Sequence, residues 1–178
     1  MLMFHYVKRE LESIFVHRFS NDTMPYTRLI SNCFVYWVWE GLCLGYSLFS
    51  PNYKPMSFFS YSVKICLIIS FFTFETLNGL GHWHLRNLRP PGTRIRAIPT
   101  GLGYYYVSCA HYCYEILSWL VFALFVHNIP AYVWLWFTCI VLRNWAMKRH
   151  LRYKKEFDGK NGRILYPSER KALIPFIY

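Results

Sequence analysis

Two clusters in this chain carry residue types that do chemistry. Asn78-Gly79-Leu80-Gly81-His82-Trp83-His84-Leu85-Arg86-Asn87-Leu88-Arg89-Pro90-Pro91-Gly92 crowds amide, imidazole and guanidinium groups at the end of a long apolar stretch. Ser108-Cys109-Ala110-His111-Tyr112-Cys113-Tyr114-Glu115 lies within the next one. Polar groups are expensive in hydrocarbon and are kept there for a site, a pathway or a helix contact. Asn78 and His82 are four apart, so they share a helix face that Arg86 continues, with Arg89 about one turn beyond. A guanidinium is a planar donor fork suited to phosphate oxygens. Tyr112 and Glu115 are three apart and share a face as well. A tyrosine hydroxyl gives a proton or hydrogen bond where negative charge develops, and a buried carboxylate holds an amide or orients a neighbour. The plainer readings stand beside these: Tyr112 as one of 15 tyrosines serving as packing or interfacial anchors, Glu115 as a helix-to-helix hydrogen bond, Arg86 and Arg89 as loop charges that set topology.

The elements that must position these groups are helices in a membrane. The chain has 178 residues, is 54% hydrophobic and 21% aromatic, and has only 16% charged residues; the charged share of a soluble domain is nearer about 25%. Residues 1–19 read as a helix with apolar residues near helical spacing and Lys8, Arg9 and Arg18 on its other faces. Ser20, Asn21, Asp22 and Pro25 mark a turn over 20–28. Apolar runs follow at 29–49, 58–77, 101–126 and 130–146, near the roughly 20 residues that cross a bilayer. The last two read equally as a long, closely packed helical hairpin. Glu40 in the first run needs a partner or an aqueous neighbour, and Glu75 sits near the end of the second. The expectation is an all-α, polytopic membrane helix bundle of about four transmembrane helices, forming one domain. Residues 1–28 form an N-terminal cytosolic or interfacial helix, 29–146 the membrane helices and 147–178 a cytosolic tail.

The formal net charge of +11 invites a nucleic-acid reading. The segregation of that charge into loops between apolar runs argues against it. The N-terminal region, the 86–100 loop with Arg86, Arg89, Arg94 and Arg96, and the tail are basic, whereas the turns near 50–57 and 127–131 carry almost no charge. Four spans put every basic region on one side, the cytosolic one by the positive-inside rule. Most of the six cysteines lie in apolar runs as small hydrophobes, and no histidine-cysteine set has zinc-site spacing, so neither a metal nor a disulfide framework is expected. Residues 1–28 lack the pattern of a signal peptide.

The ordered series His5-Tyr6-Val7-Lys8-Arg9-Glu10-Leu11-Glu12, Phe15-Val16-His17-Arg18-Phe19-Ser20 and Thr23-Met24-Pro25 resembles the very-long-chain trans-2-enoyl-CoA reductases. That family lies within the wider 3-oxo-5-alpha-steroid 4-dehydrogenase group. The resemblance continues at Asn78, His82, Leu85-Arg86-Asn87-Leu88-Arg89-Pro90 and Gly92, and is strongest at Val107-Ser108-Cys109 with Tyr112, Tyr114-Glu115 and Trp119. It closes with Trp145-Ala146, Lys148, His150, Tyr153 and Lys155-Glu156-Phe157, while Ser168 to Phe176 looks more like the steroid branch. The resemblance implies NADPH-dependent reduction of a trans-2-enoyl-CoA, the last step of each fatty-acid elongation cycle. The setting it implies is the endoplasmic reticulum membrane, with acyl-CoA, membrane lipid and other elongation enzymes as partners. It implies Tyr112 as the catalytic tyrosine, giving a proton or hydrogen bond. Asn78, His82, Arg86, Arg89, His111, Glu115, His150, Tyr153 and Arg170 would line the cofactor site, with Glu115 toward the nicotinamide amide and His111 where the elongation branch has asparagine. No Gly-x-Gly-x-x-Gly follows a strand, so the nucleotide would sit in a helical cavity. Family members carry an N-terminal ubiquitin-like domain and earlier membrane helices without counterpart in these residues. Two other readings stay open: a non-catalytic membrane interaction protein, and a steroid or polyprenol double-bond reductase.

Overall fold

The computed structural model describes residues 1–18, 23–54, 58–93, 95–160 and 162–178. The expected turn residues Ser20, Asn21 and Asp22, the motif residue Phe19, Pro55 of the turn near 50–57, and the loop charge Arg94 lie outside the described residues.

The described residues form six α-helices and contain no strand longer than an isolated bridge. Helix α1, Leu2–Leu11, continues as π-helical turns through Glu12–Val16. Helix α2, Tyr26–Cys33, starts behind Pro25, runs on as π-helix through Phe34–Leu44 and finishes as α3, Gly45–Phe49, where Pro51 stops it. Helix α4, Tyr61–Asn87, is capped by the Ser60 hydroxyl, which accepts from the Val63 amide at 3.4 Å, and ends ahead of Pro90 and Pro91. Helix α5, Ala110–Val126, ends at His127 in the left-handed region. Asn128 then caps α6, Ile129–Glu156, accepting from the Ala131 amide at 3.0 Å. A two-residue joint therefore makes α5 and α6 the expected hairpin.

The main core joins Trp119, Phe122, Ala123 and Val126 of α5 to Ala131 and Trp134 of α6, Phe71 of α4 and Leu44. Large apolar side chains also cover the outside, among them Trp37, Phe49, Ile69 and Trp136. A helix apolar on its inner and outer faces alike is at home in lipid. The outward hydroxyls of Thr73 and Thr76 donate to the carbonyls of Ile69 and Phe72, at 2.9 and 2.8 Å, so neither is left unbonded toward hydrocarbon. Among the described residues, α4 is the helix long and apolar enough to cross a membrane, and α5 is a shorter apolar helix.

The expected third run, 101–126, is shorter as a helix than its hydropathy suggests. Gly101, Leu102 and Gly103 have φ of 71°, 44° and 82°, so the chain turns there and α5 begins only at Ala110. Residues Tyr106 to Ser108 instead pair with the tail: the Ser108 amide donates to Lys171 O at 2.8 Å and the Lys171 amide to Tyr106 O at 3.0 Å. Glu40 is buried, and neither of its carboxylate oxygens has a hydrogen-bond partner among the described residues.

Helices α4 and α5 approach closely at Gly81. A Cβ there would stand 3.0 Å from the His111 Cβ and 3.2 Å from the Tyr104 hydroxyl. Gly81→Ala should force the helices apart and destabilise the protein by about 1–3 kcal/mol, read as a lower unfolding midpoint in lipid; an unchanged midpoint would contradict this packing.

Candidate active site

The site starts from a shared spacing. His5, Lys8 and Glu12 of the first helical segment sit at i, i+3 and i+7. Glu75, Asn78 and His82 of α4 have the same spacing. Laid side by side with both chains running the same way, the two rows meet residue by residue. His5 Nδ1 is 2.9 Å from Glu75 Oε1, Lys8 Nζ is 2.8 Å from Glu75 Oε2 and 2.5 Å from Asn78 Oδ1, and His82 Nδ1 is 2.9 Å from Glu12 Oε2. Arg9 donates to the same Glu12 oxygen at 3.1 Å. A carboxylate only accepts, so His82 Nδ1 carries the proton and donates to Glu12.

From this row the contacts pass to α5. The Asn78 amide nitrogen donates to His111 O at 2.8 Å and reaches Glu115 Oε2 at 3.5 Å. His111 is fully buried, with Nδ1 2.9 Å from the Tyr104 hydroxyl and Nε2 3.2 Å from Arg149 Nη1. Arg149 Nη2 stands 3.5 Å from the Tyr112 hydroxyl, and the guanidinium lies 5.3 Å from the Tyr112 ring centroid. The structure thus brings together Asn78, His82, His111, Tyr112 and Glu115. Asn78 has both ends of its amide engaged within the protein and is fully buried, so its evident work is to join three helices.

His150, Tyr153 and Arg170 form a second cluster around Ser108 and Tyr166. Ser108 Oγ is 2.5 Å from His150 Nδ1 and 2.7 Å from Tyr166 Oη. Tyr153 stacks on Tyr166 at 5.6 Å. Arg170 lies over the Tyr166 ring at 5.5 Å and donates to Pro99 O at 2.8 Å, while its buried Nε has no hydrogen-bond partner among the described residues. Burial, then the charges of Lys154 and Lys171, lower His150 below its usual range. Arg86 lies over the Trp83 ring at 5.0 Å. Arg89 donates to Thr93 O at 2.6 Å and to Arg18 O at 3.0 Å, and Arg18 donates back to Arg89 O. Those two arginines mark the end of α4 rather than either cluster.

Spacing within single helices gives no sign of Lys8, Arg9, Glu12, Tyr104, Ser108, Arg149 or Tyr166 as site residues. The matched spacing of 5-8-12 and 75-78-82 was the available signal for the first group. Glu12, His17 and His82 also place one potential metal-ligand atom each within 4.8 Å of one another. Arg9 at 3.1 Å and Lys8 at 3.7 Å from the same carboxylate set two positive charges where a cation would have to sit. The group reads as a clamp between helices.

Burial alone would raise Glu12, but the hydrogen bond and charge of His82, with Lys8 and Arg9, bring it from 4.5 down to about 2. Burial, then the charges of His82 and Arg9, lower His17 from 6.5 to about 4. Both shifts make the fold acid-sensitive. The unfolded chain takes up the His17 proton below 6.5 and the folded chain only near 4, so stability falls across that window. Glu12 stabilises above 4.5, and its contribution is lost as pH falls toward about 2. Unfolding measured in lipid across the acid range should show both losses; His17→Gln should flatten the upper window and Glu12→Gln the lower.

The family profile of 3-oxo-5-alpha-steroid 4-dehydrogenase matches residues 22–178. The very-long-chain enoyl-CoA reductase of Dictyostelium discoideum is 39% identical over 97% of this chain and 55% of its own length. A trans-2,3-enoyl-CoA reductase-like protein of Mus musculus is 30% identical over 97% of this chain and 47% of its own. The 3-oxo-5-alpha-steroid 4-dehydrogenase 2 of Sus scrofa is 34% identical over 82% of this chain and 55% of its own. The chain spans about half the length of these curated relatives. With that match running through both polar clusters and helices α2 to α6, the chain belongs to the 3-oxo-5-alpha-steroid 4-dehydrogenase family.

Proposed function

We propose that this chain reduces the 2,3-double bond of a trans-2-enoyl-CoA with NADPH, as the final reduction of very-long-chain fatty-acid elongation. The observation that carries the reading is the hydroxyl of half-buried Tyr112 beside the Arg149 guanidinium, where helices α5 and α6 meet. The enoyl-CoA reductase names of its relatives support the substrate class. The same reading gives a multi-pass protein of the endoplasmic reticulum with about four spans, its basic regions facing the cytosol and acyl-CoA, lipid and other elongation enzymes as its partners.

Reduction of an enoyl thioester leaves negative charge on the thioester oxygen and requires a proton at the α carbon. Tyr112 supplies that proton, and Arg149 holds positive charge against the hydroxyl that gives it up. The residues suit a phosphate-bearing nucleotide in one further respect: the buried Arg170 Nε and His84 Nε2 lack hydrogen-bond partners among the described residues, and each is a nitrogen able to meet an anionic oxygen. The reduced nicotinamide would supply the hydride. Glu115 would meet its amide, His150, Tyr153 and Arg170 would flank the nucleotide, and Arg86 and Arg89 would face phosphate from the end of α4, with Asn78 and His82 holding the wall behind.

The test is NADPH oxidation by the purified chain in lipid with trans-2-hexadecenoyl-CoA, with a 4-en-3-oxo steroid and with no acceptor. Saturated acyl-CoA is the expected product. Turnover of the steroid alone would move the chain to the other branch of the family, and no oxidation by a folded sample would favour a non-catalytic role. Tyr112→Phe should lower turnover about 10²–10⁴-fold while NADPH binding is retained; wild-type turnover in that variant would remove Tyr112 from the chemistry.

A further inference from the structure

Around Arg149 the basic residues Lys148, Arg152, Lys154 and Lys155 are exposed, as a solvated tail requires, whereas Arg149 is drawn in between α5 and α6. Its two contacts fix protons that coordinates alone leave open. A guanidinium has donors only, so His111 Nε2, 3.2 Å from Nη1, must accept. The His111 proton is then on Nδ1, which donates to the Tyr104 hydroxyl at 2.9 Å, and Tyr104 in turn donates to Gly81 O at 3.3 Å. The buried imidazole has no proton left for a ligand. Tyr112 Oη likewise receives from Arg149, at the long distance of 3.5 Å, so its own proton points elsewhere.

We infer that Arg149 is a positioning residue for proton transfer: it holds His111 as the Nδ1–H tautomer, aims the Tyr112 proton away from itself, and stabilises the phenolate left when that proton is given. This rests on the reductase reading above. The step balances as follows: bound NADPH would supply a hydride for the β carbon, and the electron pair of the double bond would move to the thioester as an enolate. The Tyr112 O–H bond breaks as a C–H bond forms at the α carbon. A water molecule then returns a proton to the phenolate. His111 thus spends its one proton on Tyr104 and offers only an acceptor toward Arg149, and the donor beside Tyr112 is Arg149.

Two measurements test this, one of them independent of turnover. Nitrogen NMR of the histidine-labelled chain in lipid, with His111→Asn to assign the signal, should show His111 protonated on Nδ1 and bare on Nε2, and Arg149→Gln should disturb that state. An Nε2–H imidazole in the wild-type chain would overturn the inference whatever the activity. In the reductase assay Arg149→Gln should lower kcat about 10²-fold with KM for NADPH little changed, and added guanidinium should restore kcat to Arg149→Gly but not to Tyr112→Phe. Wild-type kcat in Arg149→Gln, or no recovery with guanidinium in a folded Arg149→Gly sample, would remove Arg149 from proton transfer. A wild-type chain without turnover would strike the reductase reading and the phenolate role together, while the His111 tautomer would still decide whether Arg149 holds that ring.

Discussion

The buried register between α1 and α4 is the constraint on which the site depends. Three polar groups on one helix meet three on the other at the same spacing, and the meeting pairs His5 and Lys8 with Glu75, Lys8 with Asn78, and Glu12 with His82. None of these groups is tolerable alone in an apolar interior, where an unpaired charge or amide costs several kcal/mol, about 3–5 for a broken buried pair. A slip of α1 by one residue would turn all three off the face. The register is therefore specified by the cost of its alternatives more than by the strength of any single contact.

That register reaches the chemistry through Asn78. Its oxygen is held by Lys8 and its nitrogen by His111 O, so the first turn of α5 is fixed against α4. Gly81 allows the close approach this requires, and Tyr104 occupies the space beside it. His111 and Tyr112 of α5 then meet Arg149 of α6. Packing of Trp119, Phe122 and Trp134 below supplies a rigid apolar base of the kind a precise polar constellation needs.

The legible part of the site was the part written on single helices. Asn78 with His82, and Tyr112 with Glu115, announce themselves by spacing, and the structure brings all four together. Lys8 and Glu12 were hidden because a basic-acidic helix near a terminus looks solvated until its partner row is known. Arg149 was hidden by its neighbours: one inward arginine among exposed lysines has no distinct pattern, and only the docking of α6 on α5 separates it. Hydropathy overran the start of α5 because Leu102, Tyr104, Tyr105 and Tyr106 are apolar, yet the left-handed turns at Gly101 and Gly103 forbid a helix there. The all-helical class was plain from the apolar runs. The two π-helical stretches, Glu12–Val16 and Phe34–Leu44, have no signature of their own in the sequence.

A double-mutant cycle on Lys8 and Glu75 tests most directly whether docking of α1 on α4 builds the site. Unfolding free energies in lipid would be measured for Lys8→Met, Glu75→Gln and the pair. The account predicts that each single change, by stranding a buried polar partner, destabilises so much that the double variant loses less than the sum, with a coupling of about 1–3 kcal/mol. Additivity within about 0.5 kcal/mol would show that the two helices do not meet as described.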